Sequence, residues 1–157
     1  MSGTISDVRA ALRWGTALLR AAGGDSPRLE AELLLAHVLS VERAYILAHP
    51  EHNLSPAESA HYRQLINRRA QHEPLAYLLG HQEFYGLDFY VSPAVLIPRP
   101  ETELLVEEAL AAARTSASRP WCVADVGTGS GAIAISLAVH MPHARVYATE
   151  ASAEALA

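Results

Sequence analysis

The residues best suited to chemistry lie in one run, Val123, Ala124, Asp125, Val126, Gly127, Thr128, Gly129, Ser130, Gly131: an apolar strand that ends in a carboxylate and a glycine-rich turn. Glycines let the backbone take positive φ and let a ligand approach without meeting a Cβ. The stretch from Ala132 to Val139 reads as a helix, and its start offers N–H groups with no partner inside the helix. The pattern therefore predicts a nucleotide-type pocket between a strand and a helix.

Gly127, Gly129 and Ala132 satisfy the generic dinucleotide fingerprint, and Glu150 follows at about the 20-odd residues expected of an acid that holds a ribose hydroxyl. Two details point away from a pyrophosphate. The third glycine, Gly131, comes only one residue after Gly129, and Asp125 stands at the strand's end, two places before the first glycine. A carboxylate there repels a pyrophosphate but suits the ammonium and sulfonium of S-adenosylmethionine, whose ribose would fall to Glu150. The expected cofactor is the sulfonium compound, with Asp125 toward its positive end and Glu150 toward its ribose.

Other reactive-looking residues have simpler readings. All twelve basic residues are arginine, so Schiff-base chemistry and a phosphate-gripping P-loop lysine are excluded. His49 and His52 have a His-x-x-His spacing, but Pro50 lies between them and no zincin glutamate follows; they read as surface loop residues, and no metal site is expected. Ser130 fails the nucleophile-elbow pattern because position 128 is threonine. Glu101, Glu103, Glu107 and Glu108 suit the positive end of a helix better than acid–base work. Cys122, the single cysteine, reads as a small buried residue. Arg99, between two prolines, has two readings: pairing with a carboxylate near the cofactor, or facing water.

The elements that position these residues follow from periodicity. Residues 4 to 80 look helical. Val8, Ala11, Leu12, Gly15, Leu18, Leu19 and Ala22 form one stripe, and Gly23 and Gly24 end it. Ser26 and Pro27 open a second helix, whose Leu29, Leu33, Leu34, Leu35, Val38 and Leu39 predict a central position. A short helix lies near 43 to 48. Ser55, Pro56, Ala57, Glu58 is a capping box opening a helix with Tyr62, Leu65, Ile66 and Ala70 inward, and Tyr62 and Trp14 read as packing aromatics. Arg63, Arg68 and Arg69 read as a solvated helix face. Pro74 to Leu79 adds one turn.

From Glu83 the aromatic and β-branched pattern around Gly86 predicts a β-hairpin, and Ser92 to Pro100, with three prolines, an extended loop. Pro100 begins a helix buried by Leu104, Leu105, Ala109 and Leu110; a link over 115 to 120 leads to strand Trp121 to Val126, the turn, helix Ala132 to His140, and strand Arg145 to Thr149. The expected fold class is α/β: a helical bundle over 1–80, a β-hairpin and loop linker over 81–100, and over 101–157 the opening β-α-β of a Rossmann-like domain.

The chain's 157 residues carry a net charge of −5, with residues 1 to 80 balanced and the acidic surplus in 81 to 157. Basic clustering of the kind that binds RNA is missing, and the start, Met1, Ser2, Gly3, Thr4, has no secretory or myristoylation pattern; the expectation is a cytoplasmic protein, off the membrane.

The run Phe89, Tyr90, Val91, Ser92, Pro93, Ala94, Val95, Leu96, Ile97, Pro98, Arg99, Pro100, Glu101, Thr102, Glu103 resembles the signature of the peptide chain release factor glutamine methyltransferases, the HemK/PrmC family. The resemblance covers the chain in order and implies a five-helix N-terminal domain, a hairpin linker and the first part of a class I methyltransferase domain. It implies S-adenosylmethionine as cofactor, class 1 release factors as protein partners, and methylation of the glutamine side-chain amide in their Gly-Gly-Gln motif. By that likeness Gly127 to Gly131 line the methionine part of the cofactor, Glu150 holds its ribose, and Asp125 steadies the loop or the ammonium. The family's Asn-Pro-Pro-Tyr motif, which grips the substrate amide, is not among residues 1 to 157. No catalytic residue is therefore assigned, and this stretch alone is expected to be inactive and to leave apolar faces in its second half. The rival expectations are a release-factor-binding module without chemistry, and a related methyltransferase acting on RNA or ribosomal protein.

Overall fold

The computed structural model describes residues 5–115 and 121–156, in two compact units that divide between Leu79 and Gly80. The first unit is helical: α1 (Val8–Ala21), α2 (Pro27–Leu39), α3 (Arg43–Ala48), α4 (Pro56–Ala70) and α5 (Leu75–Leu79). Asp7 caps α1 by accepting from the Ala10 N–H at 2.8 Å, and the Ser55–Glu58 capping box of α4 is formed in both directions. The backbone at 50–54 is tied to the start of α1 by three N–H···O=C bonds, so the segment carrying His49 and His52 is pinned at its far end. Ile5, Val8, Leu12, Leu19, Leu34, Leu35, Ile46, Tyr62, Leu65 and Ile66 form the core. Burying Tyr62 pushes its phenol pKa up, and its hydroxyl donates to the Ala31 carbonyl at 3.3 Å.

Several expectations for this unit are corrected. Leu29 is exposed, whereas Glu30 and Glu32 are buried on α2. The reversal has an electrostatic cause: Arg69 on α4 grips Glu30 with two bonds of 2.8 and 2.9 Å, and Glu32 lies between Arg28 and Arg43, the latter at 2.7 Å. Burial alone would raise the Glu32 pKa, but the guanidinium groups of Arg43 and Arg28 outweigh it and hold the carboxyl below its ordinary value. Nor is the arginine face of α4 simply solvated. Arg68 pairs with Glu73 at 2.7 Å, Arg69 is mostly covered, and the Arg63 guanidinium carbon stands 5.2 Å from the Trp14 ring centroid. Ser26 occupies the N-cap position of α2 without a side-chain capping bond.

The second unit begins with an antiparallel hairpin, β1 (His81–Phe84) and β2 (Leu87–Tyr90), in the register Phe84↔Leu87. Its two-residue turn, Tyr85 and Gly86, has φ of 52° and 74°, the doubly positive pattern that matches strand twist. Glu103 Oε1 accepts from the Tyr85 N–H at 2.8 Å, so that carboxylate fastens the hairpin turn as well as heading α6 (Glu103–Thr115). The loop from Ser92 ends in a short 3₁₀ turn at Pro100–Thr102. Then β3 (Cys122–Val126), α7 (Ala132–His140) and β4 (Arg145–Thr149) form a β-α-β unit with parallel strands paired Val123↔Val146 and Val126↔Thr149. The link expected over 115 to 120 lies, from residue 116, outside the described residues.

Phe84, Phe89, Val106, Leu110, Ala132 and Leu137 form the core of this unit, with Val123 and Val146 packed on it. Two expectations fail here. Cys122 is exposed, and Leu104 and Leu105 are 59% and 60% exposed, while Val106 and Leu110 do the burying on α6. Val123 faces the core, and residues alternating with it in β3, Cys122, Ala124 and Val126, face outward. A parallel sheet ordinarily has both faces covered; this pair, which joins no further strand among the described residues, has an open one.

Candidate functional site

The glycine turn sits where β3 ends, at the carboxyl edge of the parallel pair, which is where open α/β sheets place ligands. Gly127, Gly129 and Gly131 have φ of 78°, 56° and 79°, so each occupies the left-handed region that side chains disfavour. A Cβ built on Gly127 or Gly129 would meet nothing within 4 Å, which leaves the face of the turn bare. The turn itself is firmly anchored. The Gly127 and Thr128 N–H groups both donate to the Thr149 carbonyl, at 2.8 and 3.0 Å, and the Gly131 N–H donates to Thr128 O at 2.9 Å. Helix α7 then starts at Gly131 with no side-chain cap and no acidic residue in its first turn, so its leading N–H groups stay available to an acceptor.

Two carboxylates bracket the turn. Asp125 Oδ2 accepts from the Thr128 hydroxyl at 2.7 Å, while Oδ1 takes no hydrogen bond from a described residue. Glu150, just past β4, accepts three backbone N–H groups: Gly129 at 3.0 Å on Oε2, and Ala151 and Ser152 at 2.7 and 3.0 Å on Oε1. The bonds from Ser152, Gly129 and Ala151 favour the charged form and lower its pKa. A carboxylate offers about four acceptor directions, so after three N–H groups one is left, on Oε2, for a hydroxyl. The residues singled out from the sequence thus come together, but Glu150 has a further task that spacing did not reveal: it ties the glycine turn to the segment after β4.

Two clefts open beside Gly129 and Ser130. One, of about 150 Å³, is lined by Gly127 and Thr128 on the turn, by Ala132 and Ile133 at the head of α7, and by Phe84, Ile97 and Arg99. The other, of about 440 Å³, is bounded by the hairpin residues Asp88 and Tyr90, by Ile135 and Val139 on α7, and by Glu154. The hairpin's part in this second cleft was not foreseen. The available signal was the period of β2, which puts Tyr90, 77% exposed, on the opposite side from buried Phe89.

The Tyr45 ring lies 4.3 Å from the His49 ring, tilted by 42°, and its hydroxyl meets His52 Nδ1 at 3.2 Å; no group of three or more possible metal ligands occurs among the described residues. No helix among the described residues is long and apolar enough to cross a membrane.

Residues 10–80 match the family described as the PrmC N-terminal domain. The chain is 54% identical over 138 residues to a release factor glutamine methyltransferase of Koribacter versatilis, covering 88% of this chain and 49% of that protein. A protein of the same description from Moorella thermoacetica is 51% identical over 149 residues, 95% of this chain and 52% of the relative. One from Geobacter sulfurreducens is 46% identical over 150 residues, covering 96% and 51%. The chain spans about half the length of the curated relatives it matches.

Proposed function

We propose, from the match of residues 10–80 to the PrmC N-terminal domain and the likeness to release factor glutamine methyltransferases, that the chain is part of such an enzyme and that its second unit opens a class I methyltransferase domain that holds S-adenosylmethionine at the glycine turn. The full-length protein then methylates the glutamine amide in the Gly-Gly-Gln motif of class 1 release factors in the cytoplasm. The observation that carries this reading is the juxtaposition of a bare, positive-φ turn with carboxylates at the ends of both parallel strands.

The residues fit the donor by charge and shape. When bound, S-adenosylmethionine supplies a methyl group on a positively charged sulfur. Asp125 Oδ1 is free to take the ammonium, Glu150 Oε2 a ribose hydroxyl, and the backbone of Gly127 to Gly131 lets the methionine part lie against main chain rather than side chains. Anchoring by Thr149 and Glu150 means the turn need not reorganise to receive it, which lowers the cost of binding. An amide nitrogen is a weak nucleophile, so its methylation depends on acceptors that orient it along the sulfur–methyl axis. The resemblance assigns those acceptors to an Asn-Pro-Pro-Tyr motif not found among these residues, so residues 1–157 alone are proposed to be inactive. The helical unit is proposed to help recognise the release factor.

The test is incubation of the full-length protein with a class 1 release factor and methyl-labelled donor, followed by peptide mass mapping. One methyl on the Gly-Gly-Gln glutamine is expected, and none when residues 1–157 replace the full-length protein. Label on RNA or ribosomal protein, with the release factor unmodified, would overturn the proposal.

A further inference from the structure

Resting on the donor assignment above, we propose that Arg99 binds the α-carboxylate of the methyl donor, so that the site reads both charges of the donor's amino-acid end. Arg99 lines the smaller cleft together with Gly127, Thr128, Gly129 and Ser130, and it is the one charged side chain in that lining. Its backbone is held. Pro98 and Pro100 flank it, its φ and ψ are −103° and 141°, and its carbonyl accepts the Thr102 N–H at 3.0 Å. Proline fixes its own φ and confines the residue before it to extended conformations, so the point from which this guanidinium projects does not wander.

The charge balance then asks for an anion. The Arg99 side chain makes no hydrogen bond or ion pair with a described residue. Neither carboxylate beside the turn pairs with it: Asp125 takes the Thr128 hydroxyl on Oδ2, and Glu150 takes the N–H groups of Gly129, Ala151 and Ser152. Arg69 and Arg43 in the helical unit, by contrast, each hold a buried glutamate. With the uncapped N–H groups of α7 in the same lining, the cleft has a positive wall at Arg99 and the α7 head, and Asp125, bonded to the Thr128 of that lining, supplies a negative charge at the foot of the turn. A zwitterionic α-amino acid end has the complementary pair: its carboxylate suits the forked guanidinium and its ammonium suits Asp125.

The assignment is tested by calorimetric titration of the full-length protein, its Arg99→Ala and Arg99→Gln variants, with S-adenosylmethionine and with its decarboxylated analogue, which lacks only the carboxylate. Both variants are expected to bind S-adenosylmethionine at least tenfold more weakly, while the analogue binds all three proteins alike. Unchanged affinity for S-adenosylmethionine in the variants, or an equal loss for the analogue, would overturn the role of Arg99 alone. Failure of the unsubstituted protein to bind S-adenosylmethionine would instead overturn the donor assignment, and this inference with it.

Discussion

The two units differ in how far they satisfy themselves. In the helical unit, buried Glu30 and Glu32 have guanidinium partners, α1 and α4 have side-chain caps, and the interior closes around Tyr62. In the second unit, α7 begins without a side-chain cap, among the described residues Asp125 keeps an oxygen without a partner and Arg99 has no counter-charge, and β3 exposes Cys122, Ala124 and Val126 along one face. A polar group whose partners are all internal serves the fold; one held rigidly without a partner is ready for a ligand. Under the proposed function, the contrast puts the ligand site in the second unit.

The sharpest way to break that contrast is to open the closed unit. Tyr62 is fully buried, packs edge-on against Trp14 at 6.1 Å and donates to Ala31. Tyr62→Ala is expected to cost about 3–5 kcal/mol, the range for emptying an aromatic site in a core. Denaturant unfolding followed by helical circular dichroism reads this directly. A loss under about 1 kcal/mol would mean that the helical unit is loosely packed and the contrast misplaced.

Gly129→Val probes the other side with a smaller expected effect on stability. Valine at a φ of 56° is strained by about 1–2 kcal/mol, yet its Cβ meets no atom of the protein within 4 Å. The branched side chain would instead fill space assigned to the donor. Affinity for S-adenosylmethionine in the full-length protein is expected to fall at least tenfold, with the unfolding midpoint of the helical unit unmoved. A variant that binds the donor normally would remove the turn from the site.

How much of this was legible from residues alone follows the same divide between local and distant causes. Helices α1 and α4 could be read because a one-sided stripe and a capping box are local, and the glycine turn because positive φ leaves few alternatives to glycine. Helix α2 misled because the arginine that holds Glu30 lies 39 residues on and, of the two that hold Glu32, only Arg28 is on the same helix while Arg43 lies 11 residues on. Cys122 misled in the opposite sense: apolar alternation in β3 signals a face meant for cover, and among the described residues that cover is not present, while Leu104 and Leu105 lie exposed on α6. For the site, the residue types were readable, but the bonds of Glu150 depend on the β3–β4 register, and the place of Arg99 depends on how the proline loop passes the turn.

The finest test concerns that register-dependent carboxylate. The Glu150 pKa is lowered by the N–H groups of Ser152, Gly129 and Ala151, so the charged form is favoured in the folded state. A group of this kind contributes stability above its unfolded pKa, about 4.3, and the contribution is lost as pH falls through the lower folded value. Below about pH 4, therefore, protection against hydrogen exchange, corrected for intrinsic rates, is expected to drop at the Gly129, Ala151 and Ser152 amides. The Gly127 and Thr128 amides supply an internal control, because they donate to the Thr149 carbonyl, which does not titrate. Glu150→Gln should abolish the step while hardly changing global unfolding, since the carboxylate is solvent-accessible. If all five amides lost protection together in acid, the turn would be melting as part of the whole unit, and Glu150 would not be its separate anchor.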